Sequence, residues 1–321
     1  MPAGTPSCYR HPGRETHLRC TRCERYICPD CMVQASVGFQ CPECVHSGNQ
    51  NVRQARTTAG AILRPIGTPI VTYTLIAVNV VLFGLKELVG TNISPLGGTY
   101  SPVDVRFALV AKTFDFSNNP IGVANGQWYR LFTSMWLHAS FIHIFMNMIS
   151  LYFIGPMLEQ LLGRWRYLSV YLITGLAGAA TSYLFMSETS PYSIGASGAI
   201  AGVFGCLIVI GVRQKILNVQ SIVVVLALNV YLTVQDSSID WHAHLGGLVS
   251  GALIGAVFAF GPEIIKALGK ASAPREQQFK TLATLQVATM VIVLAAAVGI
   301  TAVHTSSLDD PANRVRSSSG S

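Results

Sequence analysis

Residues 195–212 read GASGAIAGVFGCLIVIGV. Eighteen positions pass without a charge, within the roughly 17–25 apolar residues that a helix needs to cross hydrocarbon. One hydroxyl, Ser197, stands among them, flanked by small residues. The stretch has companions. Apolar runs near 69–89, 131–155, 166–186, 217–234, 242–260 and 281–303 alternate with short polar breaks, so the pattern predicts seven spanning helices. Composition agrees: of 321 residues, 50% are hydrophobic and only 12% charged, with a mean hydropathy of +0.45. A soluble domain carries about 25% charged residues. A water-soluble enzyme is thereby excluded, and so is a disordered chain, which needs low hydrophobicity. The expected fold class is an all-α polytopic membrane protein.

The net charge of +7 raises the question of nucleic acid, and its distribution answers it. Residues 1–50 hold charges and Cys pairs where a signal peptide needs an apolar core, so the N-terminus is expected in the cytoplasm. With that start, sixteen of the 22 basic residues fall inside. They include eight arginines before the first span, Arg164 and Arg166, Arg213 and Lys215, and Lys266 to Lys280. Arg106, Lys112, Arg130, Arg314 and Arg316 fall outside, with Lys86 at the outer end of the first span. This is the positive-inside pattern: N-terminus in, C-terminus out, no nucleic-acid partner expected. Residues 1–48 read as a Cys/His module, 49–68 as a basic linker, 69–303 as the membrane domain and 304–321 as a disordered tail.

Seven of the eight cysteines lie within residues 1–44, where cytoplasmic thiols stay reduced and bind metal rather than pair. Cys8-x2-His11, Cys20-x2-Cys23, Cys28-x2-Cys31 and Cys41-x2-Cys44 give eight ligands, enough for two closed tetrahedral zinc sites. One zinc with spare thiols is the other reading, and His17 or His46 can substitute as ligands. A module this short needs such staples for want of a core.

Inside the apolar runs, polar groups are costly and mark function by default. The second expected helix carries His138, His143 and Asn147, the last two four apart and so on one face. The fourth carries Ser197 and the sixth His244. All three helices run from outside to inside, and at 1.5 Å per residue Ser197, His244 and His143 fall in the outer third of the membrane. Groups at one depth can share a cavity. A serine hydroxyl becomes a nucleophile when a neutral imidazole takes its proton; Ser197 and His244 fit those roles. The oxyanion formed needs fixed donors, which His143, Asn147 and the Ser197 backbone can supply. Asp240 is placed at the rim, which favours a dyad over a triad. Each residue has a plainer reading: Ser197 as a packing position, Asn147 as interhelical glue, His138 as a helix-to-helix bonder, Glu159 as a cap or a partner of Arg164 and Arg166. Trp128, Trp136 and Trp241 read as interfacial anchors, and Gly247-x3-Gly251-x3-Gly255 as close helix packing.

Taken together, Trp128-Tyr129-Arg130, His138-x4-His143-x3-Asn147, Glu159-x3-Gly163, Gly195-Ala196-Ser197-Gly198 and His244-Leu245-Gly246-Gly247-Leu248-x2-Gly251 resemble the rhomboid family of intramembrane serine proteases. The resemblance implies a rhomboid-like six-helix bundle with one appended C-terminal helix, and a Ser197–His244 dyad needing no cofactor. It implies oxyanion stabilisation by His143 and Asn147, with His138 lining the cavity. It also implies hydrolysis of peptide bonds in or near transmembrane segments of membrane protein substrates. Ala201 departs from the pattern, since some members carry an aromatic residue there against the catalytic His. The Cys/His order resembles a B-box-type zinc finger, which implies interleaved sites: Cys8, His11, Cys28 and Cys31 on one ion, Cys20, Cys23, Cys41 and Cys44 on the other. Such a module is expected to dock a cytoplasmic protein partner, the whole residing in the plasma membrane of a bacterium. A non-catalytic rhomboid-like protein that escorts membrane clients is the alternative; a transporter lacks charged residues through the full depth.

Overall fold

The computed structural model describes residues 5–50, 68–90, 92–93, 99–187, 190, 192–217 and 240–309. The chain divides into two compact units, Met1–Ala55 and Arg56–Ser321.

In the first unit an antiparallel pair, β1 (Val33–Gln34) and β2 (Phe39–Gln40), follows a 3₁₀ turn over Pro29–Cys31 and precedes α1 (Pro42–Gln50). Its buried apolar residues are Cys8, Cys20, Ile27, Cys28, Cys31, Cys41 and Cys44. A core with one aliphatic side chain cannot offset the entropy of ordering the chain, so the sulfur atoms carry the structure.

The second unit is helical. Among the described residues, five of its helices are long and apolar enough to cross a membrane: α2 (Ile70–Val89), α5 (Phe141–Leu162), α6 (Arg164–Phe185), α8 (Trp241–Ala259) and α10 (Arg275–Asp309), the last preceded by the short α9 (Gly261–Ala267). Between α6 and α8 lies α7 (Ser197–Arg213), a shorter apolar helix. The expected span at 217–234 lies, beyond residue 217, outside the described residues, as does most of the linker at 49–68.

Three expectations need correction. The second expected helix, placed at 131–155, begins only at Phe141. Before it come a single turn, α4 (Arg130–Thr133), and a 3₁₀ turn over Ser134–Trp136. Leu137 and Ser140 are extended, and the Ser140 hydroxyl accepts the His143 N–H at 3.2 Å as the N-cap. His138 thus stands in the connection ahead of the helix, not on it. Next, residues 304–309 of the supposed disordered tail are helical. His304 Nε2 lies 3.2 Å from the Met186 carbonyl, and Thr305 Oγ1 2.9 Å from the Tyr183 hydroxyl, which holds the last turns of α10 against α6. Finally, Trp136 is no interfacial anchor: its ring packs on Phe132 and Tyr171 against the core.

The centre of the bundle is a backbone contact between α7 and α8. A Cβ added to Gly247 would stand 2.0 Å from the Gly198 carbonyl oxygen, and one on Gly251 1.9 Å from that of Gly202. Only a hydrogen fits at either place. Helices that approach this closely gain dispersion contacts that lipid cannot supply better, so the glycine ladder sets the register of α7 on α8. Glu159, near the C-terminal end of α5, accepts from the Val71 N–H (3.1 Å), the Thr72 N–H (2.9 Å) and the Thr72 hydroxyl (2.8 Å). It caps the positive end of α2, the cap alternative among its sequence readings.

Residues 99–136, ahead of α5, fold into a layer of their own. It contains β4 (Thr99–Tyr100), which pairs with β3 (Asn92–Ile93), the helix α3 (Pro102–Phe107), and the antiparallel pair β5 (Thr113–Phe114) and β6 (Pro120–Ile121). Two buried cations fix α3. Arg130 donates to the Ala108 carbonyl at 2.7 Å, the Val105 carbonyl at 3.0 Å and Gln127 Oε1 at 2.7 Å. Lys86, on α2, reaches the Asp104 carboxylate at 3.3 and 3.4 Å and also donates to the His138 carbonyl. Asp104 itself closes a capping box with Ser101.

Candidate active site and metal sites

Ser197 is the first residue of α7, with Ala196 as its N-cap. The earliest helix-type bond runs from the Ile200 N–H to the Ala196 carbonyl at 3.0 Å, so the N–H groups of Ser197, Gly198 and Ala199 lack an acceptor within the helix. They present partial positive charge beside the Ser197 hydroxyl. Gly195, which delivers the chain to this helix, has φ +134°, a conformation open in practice to glycine alone. A Cβ there would stand 2.8 Å from His143 Nε2 and 3.6 Å from Ser197 Oγ. The hollow that the missing side chain leaves is therefore faced by the imidazole of α5 and the hydroxyl of α7 together.

The tautomer of His143 follows from its other nitrogen. The Ala139 N–H donates to Nδ1 at 3.4 Å, so Nδ1 is the acceptor and Nε2 of the neutral ring carries the proton. That N–H is the donor facing the Gly195 hollow. The His138 ring meets His143 edge to face, with centroids 5.2 Å apart. Both His138 ring nitrogens and the Asn147 Nδ2 are buried without a hydrogen-bond partner. Native interiors satisfy nearly all such groups, and orphans gathered on two neighbouring segments mark a place where a polar guest or water belongs.

His244 joins this region through the helix contact. On α8 its neighbour Ala243 touches both α6 and α7: its carbonyl oxygen lies 2.7 Å from a Cβ position on Gly178 and 3.3 Å from one on Gly198. Ser197 and His244 are thus the residues adjacent to the two sides of one backbone contact. Among the described residues neither side chain forms a hydrogen bond. Asp240 does not reach the His244 ring; its carboxylate accepts from the Ser193 hydroxyl (2.5 Å), the Ser182 hydroxyl and the Ala243 N–H (3.2 Å).

The structure therefore brings His138, His143, Asn147 and Ser197 to one end of the bundle and sets His244 at the same α7–α8 contact. Sequence reasoning missed Gly195 as more than a small neighbour, and it missed the Lys86–Asp104 pair. Asp240 carried a readable signal: an acidic residue immediately before a helix is an N-cap.

The first unit holds two groups of ligand atoms, Cys8, His11, Cys28 and Cys31, and Cys20, Cys23, Cys41 and Cys44, each with all atoms within 4.8 Å of one another. His17 and His46 belong to neither. A tetrahedral ion with Zn–S near 2.3 Å spaces its sulfurs about 3.8 Å apart. Cys23 and Cys41 Sγ stand at 3.7 Å, and His11 Nδ1 lies 3.3, 3.4 and 3.8 Å from the sulfurs of Cys28, Cys31 and Cys8. Backbone N–H groups donate to Cys20 and Cys41 Sγ at 3.2 and 3.3 Å, as suits thiolates. Burial acts to raise the Cys8 and Cys20 thiols, but such donors outweigh it and bring both to about 6. Burial and the Cys8 and Cys28 sulfurs push Cys31 up to about 11, and hydrogen bonding to Cys41 with burial pushes Cys44 up to about 12. Adjacent thiolates, three in the group with His11 and four in the other, repel; a cation at the centre lets all of them ionise.

Comparison with known proteins places the membrane unit. A model of the Rhomboid domain matches residues 125–260. The rhomboid protease GluP of Bacillus subtilis (strain 168) is 30% identical over 226 residues, covering 67% of this chain and 41% of GluP. The rhomboid-family protein YdcA of the same strain is 39% identical over 139 residues, covering 42% of this chain and 69% of YdcA. RHOMBOID-like protein 1 of Arabidopsis thaliana is 37% identical over 141 residues, 42% of this chain and 36% of that protein. The matched segments thus span less than half the length of GluP and of RHOMBOID-like protein 1.

Proposed function

The chain belongs to the rhomboid family, and from that premise we propose that it is an intramembrane serine endopeptidase acting on membrane proteins in or near their transmembrane segments. Ser197 is the nucleophile, His244 the general base and acid, and His143 with Asn147 the oxyanion donors. The observation that carries the reading is the hollow at Gly195, faced by the Ser197 hydroxyl and by the His143 Nε2–H.

The chemistry proceeds in two halves. Ser197 Oγ attacks the scissile carbonyl carbon while His244 takes its proton. The carbonyl π pair moves to oxygen, and the oxyanion lies among the His143 Nε2–H, an Asn147 Nδ2–H and the Ser197 backbone N–H. Such preorganised donors act most strongly where water is excluded. Collapse breaks the C–N bond, His244 gives its proton to the departing amine, and an ester remains on Ser197. A water molecule, deprotonated by His244, attacks that ester; the acid leaves and the hydroxyl regains its proton. His138 lines the cavity, where its unpartnered nitrogens offer sites to the incoming water. Asp240 bonds elsewhere, which supports a dyad.

For the N-terminal unit the reading is a B-box-type module with two interleaved structural zinc ions, one per ligand group. Closed Cys/His sites leave no position for water, so the module serves as a docking surface for a cytoplasmic protein rather than in catalysis. The positive-inside pattern supports a bacterial plasma membrane location with the N-terminus in and the C-terminus out.

Cleavage of a model transmembrane substrate in detergent or proteoliposomes tests the enzyme reading. Wild type is expected to cleave, and Ser197→Ala and His244→Ala to lose activity. Undiminished cleavage by either variant rejects the assignment. A wild type that binds but never cleaves such clients favours the escort alternative.

A further inference from the structure

We propose that Asp240 is a positioning residue that holds the nucleophile and the base in register, an inference resting on the protease reading above. Its carboxylate joins three separate elements. One oxygen accepts the Ala243 N–H at 3.2 Å and so caps α8, the helix of His244. The other accepts the hydroxyl of Ser193 at 2.5 Å and that of Ser182. Ser193 lies four residues ahead of Ser197, and its backbone is pinned to Leu109 of the 99–136 layer by a pair of bonds at 3.0 and 2.9 Å. Ser182 lies one turn along α6 from Gly178, the residue that meets Ala243 and Gly198 where α6, α7 and α8 converge.

Hydroxyl-to-carboxylate bonds are about twice as strong as neutral ones, and a negative charge at a helix N-terminus is favoured. The arrangement fixes where α8 begins, relative both to the lead-in to α7 and to α6. His244 is one turn from that anchor, its N–H 3.4 Å from the Asp240 carbonyl. The carboxylate makes no hydrogen bond or ion pair with the His244 ring, so apart from the field of its charge it acts through the backbone and moves no proton. His242 is the other titratable group against it, with Nδ1 3.7 Å from Asp240 Oδ1, and its ring is held between Phe185 and Trp241.

A merely structural cap would change stability and leave turnover per folded molecule alone. A positioning residue changes kcat with little effect on KM, since a displacement of about 1 Å between reacting groups costs on the order of 10²-fold. The experiment measures kcat, KM and thermal stability for Asp240→Asn and for the double variant Ser182→Ala/Ser193→Ala, against wild type and Ser197→Ala. The double variant keeps the charge and the helix cap and removes only the two ties, so it serves if Asp240→Asn fails to fold. Expected is a fall in kcat of about tenfold or more for Asp240→Asn and severalfold for the double variant, with KM within about twofold. Turnover per folded molecule within twofold of wild type in both, or a loss accounted for by unfolded protein, overturns the inference. An inactive wild type, or an active Ser197→Ala, overturns instead the protease reading beneath it.

Discussion

Substituting Gly195 by alanine tests the oxyanion geometry without touching any group that takes part in the chemistry. The added methyl would arrive 2.8 Å from His143 Nε2 and 2.9 Å from Cε1, where ordinary van der Waals contact begins near 3.5 Å. The imidazole must therefore retreat by more than half an ångström, or the backbone must leave φ +134°, which already strains a residue with a Cβ by about 1–3 kcal/mol. An oxyanion donor works at 2.7–3.1 Å, and losing one costs about 10²–10³ in kcat. Gly195→Ala is thus expected to lower kcat about 10²-fold, roughly 2.7 kcal/mol of barrier, with folded protein retained. The assay is steady-state cleavage of a transmembrane substrate, with thermal stability measured in parallel. A double-mutant cycle locates the cause. If the methyl acts by displacing His143, then Gly195→Ala adds little in a His143→Ala background. Full activity in the single variant, or additive losses in the pair, refutes the reasoning.

Three further outcomes are expected. Gly251→Ala puts a methyl 1.9 Å from the Gly202 carbonyl oxygen and forces α7 and α8 apart. Thermal unfolding in detergent is expected to show at least the 1–3 kcal/mol loss typical of overpacking, whereas an unchanged midpoint would mean the helices are not in backbone contact. Lys86→Met strands the buried Asp104 carboxylate and should destabilise by about 3–5 kcal/mol, with Lys86→Met/Asp104→Leu recovering most of the loss; equal stability of single variant and wild type contradicts the pairing. Metal analysis of the full chain should find close to two zinc ions, and Cys28→Ser close to one, because the two ligand groups share no residue. Loss of both metals together contradicts independent sites.

What the sequence made legible depended on the range of the interaction. The Cys-x2-Cys pairs are local, and the interleaving implied by their order matches the two groups of ligand atoms. The glycine ladder at 247, 251 and 255 was readable because helical spacing puts one face in view, and that face meets α7. The place of His138 ahead of the helix is hidden because 131–137 remains mostly apolar, while the break depends on Ser140 capping α5. Glu159 was read as a cap or as a partner of nearby arginines; its actual donors on α2 lie 87 and 88 positions away in sequence, a distance that no periodicity encodes. The Lys86–Asp104 pair escaped notice for the same reason. Residues 304–309 turn polar in sequence, which hides their helix, yet His304 and Thr305 find partners on and just beyond α6.

The most direct test of the account is to treat the intact protein with a serine-directed fluorophosphonate and map the adduct by peptide mass. One adduct per chain on Ser197, absent from folded His244→Ala, is the expected result. Modification of a different residue, or equal labelling with the imidazole of α8 removed, contradicts the claim that this hydroxyl is activated by that base.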